Sequence, residues 1–183
     1  MPKENKKGND ENESDLQKKL EEEIEKPYYK VGYLESFKLP YERLDVSAII
    51  PTYNRCPYKP GSLRAELNPL AWCIQSLLFQ KPPINEIIIV DDHSEDYTES
   101  VVESFREEGK ERGIRIVYIR NRRRVGNGAS RNIGSKAANS KYVFFMDDDI
   151  IATPFAVFGG VYTFELVKKR EEKIAMMGLP VYF

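Results

Sequence analysis

Charged, polar or glycine-containing segments directly follow four short apolar runs in this sequence. The densest is Asp147–Asp149, three adjacent carboxylates after the run Tyr142–Met146. Two like unit charges about 4 Å apart repel by roughly 4 kcal/mol at an effective dielectric constant of 20, so we expect a nearby cation. In an extended segment Asp147 and Asp149 point to one side, and such an oxygen pair suits a hard divalent cation that also binds ligand phosphates. The pattern predicts a metal and nucleotide diphosphate site, with an aspartate-rich turn capping the next helix as the alternative.

The other three segments carry different side chains. Pro51–Arg55 follows the first run, Asp91–Ser94 follows the second, and Arg120–Arg124 with Gly126–Gly128 follows the third. If all four runs are parallel strands, these segments meet at one crevice outside the carboxyl ends of the sheet.

Each of these residues also has a purely structural interpretation. Asp91 and Asp92 form a turn or helix cap, or one of them accepts a hydrogen bond from a base or ribose. Arg122–Arg124 is a solvated charged run, or supplies countercharge to a diphosphate. Arg131 is the better candidate for that role, because it follows a predicted helix start where anions are favoured. His93, the only histidine, is interpreted as a loop residue.

The elements that must position these residues follow from hydrophobic pattern. Predicted strands are Val46–Ile50, Glu86–Val90, Ile114–Ile119, Tyr142–Met146 and Ile174–Phe183. Predicted helices begin at Asn68–Pro69, at an Asp96–Glu99 capping box, near Gly128 and at Thr153–Pro154. Strands that alternate with helices and are apolar on both faces predict an α/β fold. We expect a Rossmann-like, doubly wound, mainly parallel sheet with helices on both faces.

The first 44 residues differ in character from residues 45–183. Met1–Glu13 is polar and is predicted to be disordered. A charged helix with a narrow apolar stripe is predicted from Ser14 and ends at Pro27. We therefore expect a charged lead-in at 1–44 and an α/β domain at 45–183.

Composition excludes several classes of protein. The chain has 183 residues and a net charge of −1, which gives no global attraction to nucleic acid. No apolar run approaches the roughly 18 residues of a membrane helix, and a single histidine rules out a histidine cluster that binds zinc. Cys56 and Cys73 form no metal or redox motif, so we expect two reduced thiols in a cytoplasmic protein.

A dinucleotide-binding site is disfavoured. Gly126–Gly128 begins a G-x-G pattern, but Arg131 stands at the third glycine position, where a large side chain should block close packing of helix on strand. The pattern also follows the third predicted strand instead of the first.

Taken together, four segments resemble family 2 glycosyltransferases of the GT-A fold. Val46–Arg55 (VSAIIPTYNR) is similar to the family's first strand and nucleotide loop, and Ile87–Ser94 (IIIVDDHS) to its second, with His93 where glycine is common. Gly128–Gly134 (GASRNIG) resembles the family's Gly-x-x-Arg-Asn-x-Gly segment, and Phe144–Asp149 (FFMDDD) resembles its strand ending in Asp-x-Asp.

The resemblance implies a metal-dependent, inverting transfer from a nucleotide-diphosphate sugar, with a UDP-sugar favoured, at the cytoplasmic side and able to act at the inner face of the membrane. Asp149 and Asp147 are implied to bind Mn²⁺ or Mg²⁺, and Asp92 to bind the base. Residues implied to bind the nucleotide sugar are Pro51, Thr52, Tyr53, Arg55, Asp92, Gly128, Arg131, Asp147 and Asp148.

Two departures from the family pattern matter. Residues 56–69 form a longer insert, which we expect near the base pocket. Members of the family continue beyond the strand after Asp-x-Asp, so the resemblance places the acceptor site and the general base beyond Phe183, or in an oligomer or partner chain that completes the fold. The acceptor is a saccharide, lipid or protein, and nucleic acid is not expected. The alternatives are a non-catalytic nucleotide-sugar-binding module and a sugar nucleotidyltransferase of the same broad fold, although the latter's glycine-rich loop after the first strand is missing.

Overall fold

The computed structural model describes residues 42–168 of the chain. Its strands are β1 (Leu44–Thr52), β2 (Ile84–Asp91), β3 (Arg115–Arg120) and β4 (Tyr142–Phe145). Its helices are α1 (Pro69–Leu78), α2 (Thr98–Ser104), α3 (Arg106–Glu111), α4 (Asn127–Ala137) and α5 (Ala156–Lys168), with a short 3-10 helix at Ala65–Leu67. The helix predicted after Ser14 and the strand predicted at Ile174–Phe183 lie outside the described residues.

The four described strands form one parallel sheet in the order β3-β2-β1-β4. Sequential strands are added first on one side of β1 and then, after β3, on the other, which is the doubly wound arrangement that the sequence predicts. The predicted fold class is confirmed. Within residues 42–168, no helix is both long enough and apolar enough to span a membrane.

Alternation along the central strands divides the core between the two faces of the sheet. Ala48 and Ile50 of β1 belong to a large buried cluster that includes residues of α1 and α2. Ile49 belongs instead to a smaller cluster with Ile88 and Val90 of β2, against which Ile133 of α4 packs. Because successive side chains of a strand point to opposite faces, helices must cover both sides of β1 and β2.

β4 does not share this two-sided burial, which corrects one expectation. Val143 and Phe145 point to one face of the strand and are 39% and 43% exposed, whereas Tyr142 and Phe144 pack against the large cluster. β4 lies at the edge of the described sheet, so it gains a strand neighbour on one side only.

The single helix predicted after Asp96 is two helices in the structure. Phe105 separates α2 from α3. Its N–H donates to the carbonyl of Val102, three residues earlier, at 3.1 Å. The predicted Asp96–Glu99 capping box is also replaced. Asp96 accepts from the backbone N–H of Thr98 (3.0 Å) and from its hydroxyl (2.5 Å), so the cap forms two residues along the chain instead of three.

Asn68 precedes α1 as predicted, but its side chain does not cap the helix. Pro69 does hold the first helical position, but the side chain of Asn68 makes no capping hydrogen bond. It accepts from the N–H of Tyr58 (3.0 Å) and donates to the carbonyl of the same residue (2.7 Å). Asn68 therefore closes the 56–69 insert instead of starting the helix.

The turn after β2 gives His93 a left-handed backbone, with φ at 70°. Glycine adopts this conformation without the steric cost that a Cβ brings, which explains why glycine is common here in the family that the sequence resembles. The Nδ1 of His93 lies 3.1 Å from the carbonyl of Asn121.

Close packing of α4 on the sheet depends on Gly134. A Cβ built there would lie 2.5 Å from Cγ2 of Ile49 and 3.2 Å from Cγ2 of Val90. The close helix–sheet approach is therefore made three residues after Arg131, whose side chain contacts Asp147.

A polar cluster around Glu86 ties the elements together at the amino end of the sheet. The buried Glu86 carboxylate accepts from the Ser47 hydroxyl (2.6 Å), the Asn139 N–H (2.8 Å) and the Arg115 guanidinium. Burial alone would raise the pKa of Glu86, but these hydrogen bonds and the charge of Arg115 outweigh it and hold the pKa below its ordinary value. One carboxylate thus joins β1, β2, β3 and the segment after α4.

Replacing Gly134 with alanine should force α4 away from the sheet. We expect Gly134→Ala to lower the free energy of unfolding by about 1–3 kcal/mol, the usual cost of overpacking. Gly128→Ala is the matched control, because a Cβ at Gly128 meets nothing within 4 Å, and a change toward stabilisation of under about 1 kcal/mol is expected. Urea unfolding followed by circular dichroism measures both, and equal stability of the two variants would contradict this account of α4 packing.

Glu86→Gln should destabilise the protein at neutral pH and progressively less in acid. A carboxyl whose folded pKa is lowered contributes stability above its unfolded pKa and loses that contribution as the pH falls through the folded pKa. The difference in unfolding free energy between wild type and Glu86→Gln should therefore shrink as pH falls below about 4.5, the ordinary value for glutamate. A difference that stays constant from pH 7 to pH 3 would refute the charge-based role of Glu86.

Candidate functional site

A cavity of about 490 Å³ lies outside the carboxyl ends of the strands, where the sequence places the four polar segments. This size falls within the range of ordinary small-molecule sites. The residues that line it are Pro51, Thr52, Tyr53, Asn54, Arg55, Asp92, Arg124, Gly126, Asn127, Ser130, Asp147, Asp148 and Asp149.

The structure brings most of the predicted site residues to this one cavity. Two predicted residues are not among its lining. Gly128 lies in the first turn of α4, directly after the lining residue Asn127, and Arg131 lies one turn further along the helix and contacts Asp147.

Five lining residues were missed as site candidates: Asn54, Arg124, Gly126, Asn127 and Ser130. Arg124 had a signal, since Arg122–Arg124 could supply countercharge, but nothing in the sequence distinguishes it from its two neighbours. Asn54, Asn127 and Ser130 each adjoin a predicted site residue, and Gly126 lies two residues before Gly128. Their positions alone could have marked them as candidates.

The three aspartates differ sharply in environment. Asp147 and Asp149 expose 54% and 48% of their side chains, whereas Asp148 exposes 10%. Burial raises the pKa of Asp148, and the nearby charge of Asp149 adds to the rise while Arg55 opposes it. The thiol of Cys73 on α1 donates to the carbonyl of Asp147 (3.4 Å), which anchors this turn to the core. Exposed and buried side chains thus alternate, as the sequence predicts.

Arginines from two different elements neutralise this turn. Arg55, which follows β1, contacts Asp148 and Asp149 at 3.2 Å each. Arg131 on α4 contacts Asp147 at 2.5 Å. The repulsion among adjacent carboxylates is thereby offset within the protein itself.

Asp147 and Asp149 have the ligand chemistry that a hard divalent cation requires. They supply exposed carboxylate oxygens, the ligands that Mg²⁺ prefers. Within residues 42–168, no three histidine, cysteine, aspartate or glutamate side chains are arranged to enclose a metal ion. A cation at Asp147 and Asp149 would therefore complete its coordination with water or with oxygens of a bound ligand.

A second part of the cavity, at the start of α4, favours anions. α4 begins there after Gly126, whose φ of 88° favours glycine, and no side chain caps the helix. An uncapped N-terminus presents free N–H groups and a partial positive charge. Among the described residues, the Nε of Arg131 on α4 is buried and has no hydrogen-bond partner. Such unsatisfied atoms are costly unless a ligand completes them.

Asp92 holds the loop that leads into α4. Its carboxylate accepts from the N–H of Val125 (2.7 Å), the N–H of Gly126 (2.9 Å) and the side-chain amide of Asn121 (3.0 Å). Burial would raise the pKa of Asp92, but these hydrogen bonds outweigh it and hold the pKa below its ordinary value. Asp92 therefore shapes the anion-attracting wall in addition to lining the cavity.

Asp91 has the turn-forming role that the sequence left open. Its buried carboxylate accepts from the N–H (2.8 Å) and hydroxyl (2.5 Å) of Ser94 and from the hydroxyl of Tyr118 (2.6 Å). The Ser94 hydroxyl oxygen in turn accepts from the N–H of Asn54 (2.9 Å). This chain of contacts fixes the loop after β1 to the loop after β2.

Tyr53 and Arg124 meet at the cavity. The guanidinium carbon of Arg124 lies 3.9 Å from the centroid of the Tyr53 ring, within the range of a cation–π contact. The flat ring and guanidinium come from the loops after β1 and β3, so they connect two sides of the cavity.

The 56–69 insert directly follows the lining residue Arg55, and none of its own residues lines the cavity. The N–H of Cys56 donates to Asp96 (2.6 Å), and the Trp72 indole of α1 donates to the carbonyl of Glu66 (2.5 Å). Leu63 is 98% exposed. Cys56 and Cys73 are free and buried, and burial raises the pKa of Cys56 to about 12.

Glu165, the described acidic residue that follows the aspartate turn, lies on α5 and contacts Lys141 at 3.2 Å. It does not line the cavity. Glu171 and Glu172 lie outside the described residues.

The comparisons with known proteins agree with this geometry. A β-1,3-glucosyltransferase of Campylobacter jejuni that acts on GalNAc(5)-diNAcBac-PP-undecaprenol is 32% identical over 105 residues, covering 57% of this chain and 29% of that protein. An uncharacterised glycosyltransferase of Methanocaldococcus jannaschii is 35% identical over 68 residues, covering 37% and 22%.

Among solved structures, a mannosyltransferase of Pyrobaculum calidifontis in complex with GDP-Man and Mn²⁺ is similar in fold. Its TM-score is 0.54 at 21% identity, covering 68% of this chain and 33% of that one. The chain thus spans about a fifth to a third of the length of these proteins.

A family model described as glycosyl transferase family 2 matches residues 47–161, which is more than half of the chain and includes every residue that lines the cavity. The chain therefore belongs to glycosyl transferase family 2, and its fold is the GT-A fold of that family.

Proposed function

We propose that this chain binds a nucleotide-diphosphate sugar together with Mn²⁺ or Mg²⁺ and takes part in glycosyl transfer, with a UDP-sugar as the favoured donor. The observation that carries the proposal is that one cavity combines exposed carboxylates with a helix start that favours anions. The Asp147–Asp149 turn forms one wall, and the uncapped start of α4 forms the other. A diphosphate with its cation matches both surfaces at once.

The residues divide this work by position. Asp147 and Asp149 would hold the Mn²⁺ or Mg²⁺, which when bound offsets negative charge on the departing nucleotide diphosphate. Arg131 and the first turn of α4 provide donors for the phosphates. Pro51, Thr52 and Tyr53 lie at the end of β1 and would bind the base. Asp92 holds the loop that ends at Gly126.

Transfer itself needs an acceptor and a general base within hydrogen-bond reach of the acceptor hydroxyl. We propose an inverting reaction in which a further chain segment or a partner subunit supplies that base. The relatives include a glucosyltransferase whose acceptor is attached to undecaprenol, so a lipid-linked saccharide at the inner face of the membrane is the proposed acceptor class.

Calorimetric titration with UDP and with GDP, in the presence and absence of Mn²⁺, tests donor binding. We expect Mn²⁺-dependent heat with UDP, and at least about tenfold weaker binding in Asp149→Asn because a charged ligand of the cation is lost. Asp45→Asn is the matched control, since Asp45 is exposed at the amino end of β1 and contacts Asn85. The absence of Mn²⁺-dependent heat with either nucleotide would refute the proposal.

Asp92→Asn tests the loop before α4. An amide in place of the carboxylate turns one acceptor atom into a donor that faces the N–H of Val125 or Gly126. We expect these two backbone amides to exchange with deuterium about tenfold faster, since a hydrogen bond to a charged group contributes about 1.5–3 kcal/mol. UDP affinity should fall in parallel. The exposed Glu95→Gln is the control, and unchanged exchange at Val125 and Gly126 would show that Asp92 does not hold this loop.

A further inference from the structure

Arg55 contacts two of the three site aspartates at once. Its Nε lies 3.2 Å from Oδ1 of Asp148, and its Nη2 lies 3.2 Å from Oδ2 of Asp149. Asp149 is an exposed carboxylate proposed above to hold the divalent cation. Arg55 therefore occupies one carboxylate oxygen that a cation at Asp149 would use.

We propose that Arg55 is a competitor for the cation site: it neutralises Asp148 and Asp149 in the ligand-free protein, and it must leave Asp149 when a divalent cation and a nucleotide diphosphate bind. This inference rests on the proposed function and adds a coupling between the two ligands. A guanidinium beside the cation would repel it, so the contacts of Arg55 oppose cation binding.

The local structure allows the side chain to move while the backbone stays in place. Arg55 is 45% exposed, and ion pairs between such exposed groups are weak. The preceding residue is fixed on both sides, because the N–H of Asn54 donates to Ser94 (2.9 Å) and the side-chain oxygen of Asn54 accepts from the N–H of Glu95 (2.9 Å). Release of Arg55 therefore needs only a change of rotamer.

Arg131 is held differently and is not the residue that moves. Its side chain is less exposed, at 36%, and its Nε is buried. Its guanidinium also lies 5.9 Å from the centroid of the Phe145 ring on β4. These contacts keep Arg131 beside Asp147, so the two arginines are not equivalent.

Once released, Arg55 remains within the cavity that its side chain lines. A guanidinium presents donors in a planar fork that matches phosphate oxygens. A nucleotide diphosphate that binds Arg55 thus removes the competitor of the cation, and the cation in turn frees Arg55 for the phosphates. By linkage, each ligand must raise the affinity of the other by the same factor.

The experiment uses the full 183-residue chain and measures Mn²⁺ binding by electron paramagnetic resonance of the free ion, without any activity assay. Arg55→Met removes the competitor and keeps much of the side-chain length. Arg122→Met is the matched control, because Arg122 carries the same charge on an exposed loop and does not line the cavity. Binding is measured with Mn²⁺ alone and again with saturating UDP.

We expect Arg55→Met to bind Mn²⁺ alone about five- to tenfold more tightly than wild type, and Arg122→Met to change this affinity less than about twofold. UDP should raise Mn²⁺ affinity in wild type by about tenfold, and by much less in Arg55→Met. Arg55→Lys keeps the charge but lacks the fork that reaches both carboxylates, so its Mn²⁺ affinity should lie between those of wild type and Arg55→Met.

The Mn²⁺-only measurement separates this inference from the proposed function. Equal Mn²⁺ affinity, or equally undetectable binding, in Arg55→Met and Arg122→Met would overturn the competitor role even if UDP binds. A gain in Mn²⁺ affinity confined to Arg55→Met would support it even if neither UDP nor GDP binds. If the wild-type protein binds neither UDP nor GDP, the proposed function is refuted, and the competitor role of Arg55 is still decided by the Mn²⁺-only measurement.

Discussion

The site depends on backbone hydrogen bonds that continue past the last residues of the parallel strands. The N–H of Asp92 donates to the carbonyl of Thr52 (2.8 Å), and the N–H of Asn121 donates to that of Asp91 (2.8 Å). On the other side of β1, the N–H of Met146 donates to the carbonyl of Ile49 (3.1 Å). The chain leaves the sheet only after neighbouring strands are aligned, so the loops that carry charge start from fixed positions.

These fixed starting points allow charged side chains to gather at one site in a protein whose net charge is close to zero. The net charge is −1, yet Asp147–Asp149 and Arg55 line one cavity, and Arg131 contacts Asp147 from α4. Arg55 contacts Asp148 and Asp149, and Arg131 contacts Asp147, so two arginines offset much of the repulsion among three carboxylates. A charged ligand can therefore bind by replacing ion pairs that already exist within the protein, so these side chains do not need to be unpaired beforehand.

The architecture and the location of the site could be predicted from the sequence, because both follow from pattern. Apolar runs such as Ile87–Val90 identify buried strands, and parallel strands bring the segments that follow them to one edge. Four motifs that occur in the same order as in family 2 glycosyltransferases also allow the family to be predicted. The alternation of exposure across Asp147, Asp148 and Asp149 also follows from position in the chain.

Individual partners could not be predicted, because they depend on distances between segments far apart in sequence. Asn68 has the residue type of a helix cap, but Tyr58 offers it both a donor and an acceptor, which a cap does not. Asp92 looks like a ligand for a base, and only the path of the loop from β3 to α4 shows that two backbone N–H groups reach it. Arg124 differs from Arg122 and Arg123 in its contact with the Tyr53 ring, which the sequence does not reveal.

The position of Trp72 has a consequence for how the protein's unfolding would be seen. It is the chain's only tryptophan, it is about half exposed, and its indole is tied to the carbonyl of Glu66 at the end of the 56–69 insert. Its emission therefore reports on the attachment of a surface segment, which can open locally while the sheet remains folded. Fluorescence and circular dichroism would then follow two different events in the same molecule, and their disagreement would measure how independently the insert moves.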